Sequence, residues 1–348
     1  MRWMQRPPGS NWGDYGPDDQ LGRLNLLTAE KVRQAAQEIV EGQTFCLSLP
    51  LDFPGGNVLN VRRHPPEITP TEREGMMYTN FPLGRFNPGA IDVLSDDKVT
   101  LSLQYSTQWD ALGHVGALFD ADGDGHAERV YYNGFRPNKD IQGLMDYDEK
   151  NEFKSSLTGH KNSNAKALDI TPLAVKGMQG RGVMIDLAAH FGREARAISY
   201  DELMRVMDKD QVEVESGDIL VLHTEFAQCL LEMARNPDPA KVHNMCTGLD
   251  GNDHRLHQWI TDSGIAAIAA DNYAVEAYPA RLSATCCAIL PLHHHCMFKL
   301  GLPLAELWYL TELAVWLRKN NRSRFFLTAP PLRLPGAVGS PVTPIATV

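Results

Sequence analysis

The stretch Asp218-Ile219-Leu220-Val221-Leu222-His223-Thr224 sets four consecutive apolar residues between polar ends. It is short and does not alternate, so it reads as a strand buried on both faces. Similar stretches lie on either side. Gly182-Val183-Met184-Ile185-Asp186-Leu187 precedes it, and Ile265-Ala266-Ala267-Ile268-Ala269-Ala270 follows, stopping at Asp271. Helical patterns fill the gaps: Tyr200 to Met207 behind a Ser199 N-cap, and His254 to Asp262. Buried strands alternating with helices predict an α/β fold.

Upstream the pattern is looser. Thr28 is an N-cap candidate for a helix carrying Val32, Ala35, Ala36, Ile39 and Val40 at helical spacing, to about Glu41. Thr44 to Leu49 alternates and predicts a strand, and Leu101 to Trp109 predicts a second. Residues 1–25 are rich in Gly, Pro and Asp and read as a loop ordered by docking. Residues 52–95 form a long Pro/Gly/Asn-rich stretch with little periodicity, a length of loop usually functional or disordered. Residues 140–168 are polar and read as a flexible connection or lid.

The composition narrows the function classes. Of 348 residues, 43% are hydrophobic and 22% charged, which is globular rather than disordered. A net charge of −10 without a long basic run argues against a nucleic-acid partner. Met1 to Ser10 has no apolar core of a signal peptide, and Ile265 to Val275 is too short to span a bilayer. The six cysteines form no C-x-x-C pair, and adjacent Cys286 and Cys287 rarely bridge each other, so reduced thiols in a cytoplasmic protein are expected. No G-x-G-x-x-G, Walker A or G-x-S-x-G pattern occurs, which speaks against dinucleotide, nucleotide and serine-hydrolase chemistry.

Two clusters can carry chemistry. Asp110 and His114 stand four residues apart just after a predicted strand, within Ser106-Thr107-Gln108-Trp109-Asp110-Ala111-Leu112-Gly113-His114. His293-His294-His295 lies in an apolar context, with Glu306 following. On a helix the three imidazoles point in three directions, so at most one or two serve one site. Asp110, one of these histidines and Glu306 would make a mixed N/O set suited to a divalent ion. The alternative is a surface Asp, a half-buried His, a polar helix start and a salt-bridged Glu. His223-Thr224-Glu225 ends one buried strand, and Asp271 and Glu276 flank the end of another; such residues line a site or cap and hydrogen-bond. Asp120-Ala121-Asp122-Gly123-Asp124-Gly125 is no EF-hand, because its twelfth position is Tyr131, and it reads as a solvated turn.

Taken in order, these blocks resemble the cyclase family of metal-dependent hydrolases, which includes bacterial kynurenine formamidase and isatin hydrolase. Asn11-Trp12-Gly13-Asp14 and Gly22-Arg23-Leu24-Asn25-Leu26-Leu27-Thr28 resemble the family's opening. Thr107 to His114 stands where the family carries its His-x-Gly-Thr-His-x-Asp-x-Pro-x-His motif. Gly180 to Leu187, Gly217 to Thr224, Ala270 to Pro279, and Leu292 through Gly301-Leu302-Pro303-Leu304-Ala305-Glu306-Leu307-Trp308 supply the remaining blocks. Two family histidines fall on Gln104 and Gln108, and a neutral amide is a poor replacement for imidazole on a metal.

The resemblance implies a single α/β domain over 1–348, with a mixed β-barrel-like core surrounded by helices. It implies one divalent ion, zinc or manganese, held by Asp110, Glu306 and either His293 or His294. His293 follows the leucine of the motif; His294 stands twelve residues before Glu306. His114 takes the family's general acid/base position. Gln104, Gln108, Trp109 and His223 are expected beside substrate, with Trp12 covering it, from across a dimer interface if the chain pairs. The implied activity is hydrolysis of a cyclic amide, aryl formamide, lactone or similar carbonyl compound. Two alternatives are a metal-free relative acting in binding or assembly, and a metal-dependent lyase or dehydratase. A small-molecule substrate, no membrane partner, and a homodimer or homotetramer are also expected.

Overall fold

The three buried stretches form neighbouring parallel strands in a computed structural model that describes residues 2–148, 152–156, 162–280 and 288–348. Nine strands make the central sheet: β1 (Thr44–Cys46), β2 (Gln108–Asp110), β3 (Gln179–Asp186), β4 (Ile219–His223), β5 (Ala267–Ala270), β6 (Leu304–Glu306), β7 (Arg324–Thr328), β8 (Gly339–Pro341) and β9 (Ile345–Thr347). Their order is β1-β9-β7-β3-β4-β5-β6-β2-β8. Strands β3 to β6 run parallel, and both wings are antiparallel. The result is a mixed sheet curled like part of a barrel, with helices packed on it.

Period-two alternation divides the sheet between two cores. Met184, Val221, Ala269, Ala305 and Trp109 pack into one. Ile185, Leu220, Leu222, Ile268 and Leu304 pack into the other. Gly182 sits under the ring of Phe325, and a Cβ there would come within 2.4 Å of it. At the amino ends of β3 and β4, buried Arg181 meets Asp218 through two hydrogen bonds of 2.9 Å each. Lys31 and Glu215 join that cluster.

The helices follow their caps. Helix α1 (Ala29–Ala36) is capped by Thr28, whose hydroxyl accepts from the Lys31 N–H. It is shorter than its spacing predicts: Ile39 and Val40 are exposed, and the Glu41 and Gly42 N–H groups turn to the Val348 carbonyl. Helix α2 (Tyr200–Lys209) has a capping box between Ser199 and Glu202, and α3 (His254–Ser263) is capped by Asp253.

Three upstream expectations need correction. The strand expected over 101–109 is reduced to Gln108–Asp110. Before it the chain turns at Ser102–Tyr105, and the Tyr105 hydroxyl and Gln104 carbonyl bond to loop residues instead of a partner strand. The strand expected over Thr44–Leu49 is regular only to Cys46. The 52–95 stretch is not structureless: Glu67–Pro70 pairs with Asp97–Thr100, and Phe81–Pro82 with Val93–Leu94. Stacked Tyr78, Phe81 and Phe86 give it a small core of its own.

The N-terminal segment is docked, with the Asn11 amide and the Trp12 indole donating to the Leu300 and Phe298 carbonyls. The Asp120–Gly125 turn is closed by Asp120, which accepts from the Gly123 and Gly125 N–H groups. Cys46, Cys229, Cys246 and Cys296 are free thiols. Cys286, Cys287 and part of the 140–168 connection lie outside the described residues. Among the described residues no helix is long and apolar enough to cross a membrane.

Candidate metal centre

Parallel strands place Asp186, His223, Asp271 and Glu306 at or just past their carboxyl ends, on one edge of the sheet. The antiparallel pairing of β6 with β2 then completes a polar pocket. Glu306 lies opposite Gln108, and Ala305 opposite Trp109. Alternation sends Gln108, Asp110 and Glu306 to one face and Trp109 to the other. Residues 291–299 cover that face as one helical turn running into a π-helix.

Asp110, His293 and Glu306 each offer a ligand atom, all within 4.8 Å of one another, and all three side chains are buried. The His293 Nε2 lies 3.3 Å from Glu306 Oε1. The Gln108 amide donates to Glu306 Oε2 at 3.3 Å and reaches Asp110 Oδ1 at 3.5 Å. His114 is a quarter exposed, with Nε2 3.9 Å from Asp110 Oδ1.

Glu276 holds this arrangement from behind. Its carboxylate accepts from the backbone N–H groups of Leu292 and His293, both at 3.0 Å, and meets His293 Nδ1 at 2.8 Å. A Cβ on Gly251 would fall 2.1 Å from Glu276 Oε2, so the glycine is what admits the carboxylate. With Nδ1 engaged, Nε2 is the nitrogen presented to Glu306, the usual way an outer carboxylate fixes a histidine ligand.

Burial raises Asp110, against the nearby His114 and His293 charges, which lower it. Burial also pushes Glu306 up, but the His293 hydrogen bond and charge outweigh it and hold this carboxyl below its usual value. His293 is desolvated, yet its bonds to Glu276 and Glu306 push it up to about 10. A cation bound by this trio would take the place of any proton on His293 Nε2, as ligand sets lose protons when they bind metal.

Does the trio suit a divalent ion? Asp110 Oδ2 and Gln108 Oε1 are buried and accept no hydrogen bond. An orphaned buried carboxylate oxygen is costly unless a cation meets it. One imidazole and two carboxylates are a donor set for zinc or manganese. The fit is good.

Of the other expected site residues, His294, Trp109, Trp12 and His223 make their contacts outside the trio, and Gln104 lies near Asp110's strand partner. His294 turns away, tilts against the Phe298 ring at 5.0 Å and is lowered to about 4 by burial. His295 stacks on His257 at 4.5 Å and bonds Thr261. Consecutive helical positions point the three rings apart, and only His293 reaches the carboxylates. Trp109 is on the opposite face of β2, fully buried against Trp308, with its N–H given to the Ala329 carbonyl. Trp12 is buried among Trp3, Phe119 and Phe298, and covers no open face. His223 has both nitrogens engaged, with Asp186 at 2.8 Å and Thr311 at 3.3 Å. Gln104 sits over Gly339, whose missing Cβ would lie 2.3 Å from its amide nitrogen.

Sequence reasoning did not assign Glu276 to the site. Glu276 had a signal, its place after a buried strand.

The Cyclase family model matches residues 46–277. A crystal structure described as that of a novel cyclase is 30% identical, with a TM-score of 0.73, over 99% of this chain and 100% of that one. Isatin hydrolase A from Labrenzia aggregata, bound to benzyl benzoate, shares the fold at 13% identity and a TM-score of 0.54, over 91% of this chain and 98% of its own. Isatin hydrolase A from Ralstonia solanacearum does so at 14% identity and 0.53, over 87% and 91%. No curated protein matches the sequence.

Proposed function

The chain belongs to the cyclase family, and on that premise we propose that it is a metal-dependent hydrolase acting on a cyclic amide, aryl formamide or related carbonyl compound. The whole chain, 1–348, is taken as one such domain. The observation that carries the reading is the buried Asp110–His293–Glu306 trio, in which Asp110 keeps one carboxylate oxygen, Oδ2, without a hydrogen-bond partner. These three residues would hold one zinc or manganese ion. A divalent ion so bound polarises a carbonyl and brings the pKa of water towards neutrality.

The chain's own residues do the rest. His114 is partly exposed beside Asp110, so its Nε2 can take a proton from water and return it to the leaving nitrogen. Asp110 Oδ1 lies 3.9 Å from that nitrogen. Glu276 keeps the Nδ1 proton on His293. The Gln108 amide donates to both carboxylates and leaves Oε1 free to orient a donor on water or substrate. Neutral Gln104 and Gln108 supply no second imidazole set, so one ion per chain is expected.

Elemental analysis of protein purified without chelator tests this, together with formanilide hydrolysis before and after metal removal. About one equivalent of zinc or manganese, with activity that follows it, is the expected result. Metal-free protein that binds neither ion on addition would overturn the reading in favour of a binding or assembly protein.

A further inference from the structure

Arg63 lies in a recess and bonds the carbonyl of Gln104, whose side chain sits over Gly339, the residue opposite Asp110 in the sheet. The recess is lined by Asn60, Tyr105, Tyr273 and Leu307, the last adjacent to Glu306. Arg63 reaches it from the 52–95 stretch, within the basic run Arg62-Arg63-His64 of a chain that is otherwise acidic.

The guanidinium is held without an acidic partner. Its Nη1 donates to the Gln104 carbonyl at 2.7 Å, and its carbon stands 5.7 Å from the centre of the Tyr273 ring. Among the described residues no carboxylate lies within 4 Å of it, whereas buried Arg181 is paired with Asp218. The recess holds its own geometry: the Asn60 amide donates to the Tyr273 hydroxyl at 3.0 Å, and the Tyr105 hydroxyl is fixed between Gly55 and Gly56.

A half-buried guanidinium on an aromatic face, with its remaining N–H groups unclaimed by acid, matches a carboxylate in both charge and planar geometry. We propose that Arg63 is a specificity-determining residue that binds a carboxylate on the substrate, so that the preferred substrate is an anionic acyl or aryl amide rather than a neutral one. The proposal rests on the hydrolase reading and adds the substrate class to it.

The test uses 2-formamidobenzoate and formanilide, which share the scissile formamide and differ in the carboxylate. With zinc-loaded protein, wild type should prefer 2-formamidobenzoate in kcat/KM, and R63Q should reduce that preference at least tenfold, chiefly through KM. R63K, which keeps the charge but not the fork, should recover part of it. A second readout is calorimetric binding of 2-aminobenzoate, whose Kd should rise at least tenfold in R63Q. An equal loss on both substrates, or an unchanged Kd for 2-aminobenzoate, overturns the proposal. If neither formamide is hydrolysed by wild type, the hydrolase reading fails, while the 2-aminobenzoate arm still decides whether Arg63 binds a carboxylate.

Discussion

Replacing Glu276 with Gln should weaken metal binding without unfolding the chain. The carboxylate accepts three N–H groups, at 3.0, 3.0 and 2.8 Å. Glutamine has nearly the same shape but only one acceptor oxygen. With that oxygen towards His293, the amide NH2 opposes the Leu292 N–H, donor against donor. Flipped, the NH2 faces His293 Nδ1, which must then accept, and the ring proton moves to Nε2, the atom turned towards Glu306. Either way a charge-assisted contact worth about 1.5–3 kcal/mol is lost. At about 1.4 kcal/mol per decade this is roughly a 10- to 100-fold rise in Kd, the range known for outer-shell partners of metal ligands. Competition for zinc against a chromophoric chelator at constant pH would measure it, with near-UV circular dichroism checking the fold. A Kd within twofold of wild type in a folded E276Q protein would refute the argument. G251A, which presses a methyl on the same carboxylate, should move the Kd in the same direction.

His114→Ala should cut turnover by about 10²–10⁴, while elemental analysis still finds the wild-type metal content; loss of the metal would make His114 a ligand instead. Asp218→Ala leaves Arg181 buried with only half-exposed Glu215 for company, and should cost about 3–5 kcal/mol in urea unfolding; a loss below about 1 kcal/mol would contradict it. Glu215 is held down to about 2, chiefly by the Gln34 amide, with Arg181 and Lys31 assisting. Its folded value lies below its unfolded one, so its contribution is complete above about pH 4.5 and is lost as pH falls towards 2. E215Q should therefore flatten the acid limb of a stability–pH profile in that window, and parallel limbs for wild type and variant would count against the assignment.

The central strands were legible because burial on both faces leaves an uninterrupted apolar run, as in Ile219–Leu222. Helices α2 and α3 were legible through Ser199 and Asp253, since caps act locally. The 101–109 segment was misread because its apolar and polar residues alternate as in a strand, while its hydrogen bonds go to a distant loop through Tyr105 and Gln104. Local pattern carries no record of such partners. Asp110 and Glu306 could be paired from the order of blocks. The choice between His293 and His294 turned on which ring meets the Glu276 and Glu306 carboxylates, tertiary contacts that spacing alone does not encode. Arg63 meets Gln104 and Tyr273 only through tertiary packing of a stretch without periodicity.

The back-to-back placement on β2 has a consequence for how the chain finds its pairing. Gln108 and Asp110 look into a polar pocket, and Trp109 between them looks into apolar core, against Trp308. A slip of one residue between β2 and β6 would press a carboxylate among indoles and turn an indole towards three ionisable groups. Both exchanges are expensive, so a mispaired sheet edge has no comfortable resting state. The ligand set thereby proofreads its own strand alignment. A one-residue insertion or deletion just before Gln108 should be rejected at the level of folding, before chemistry is ever tested.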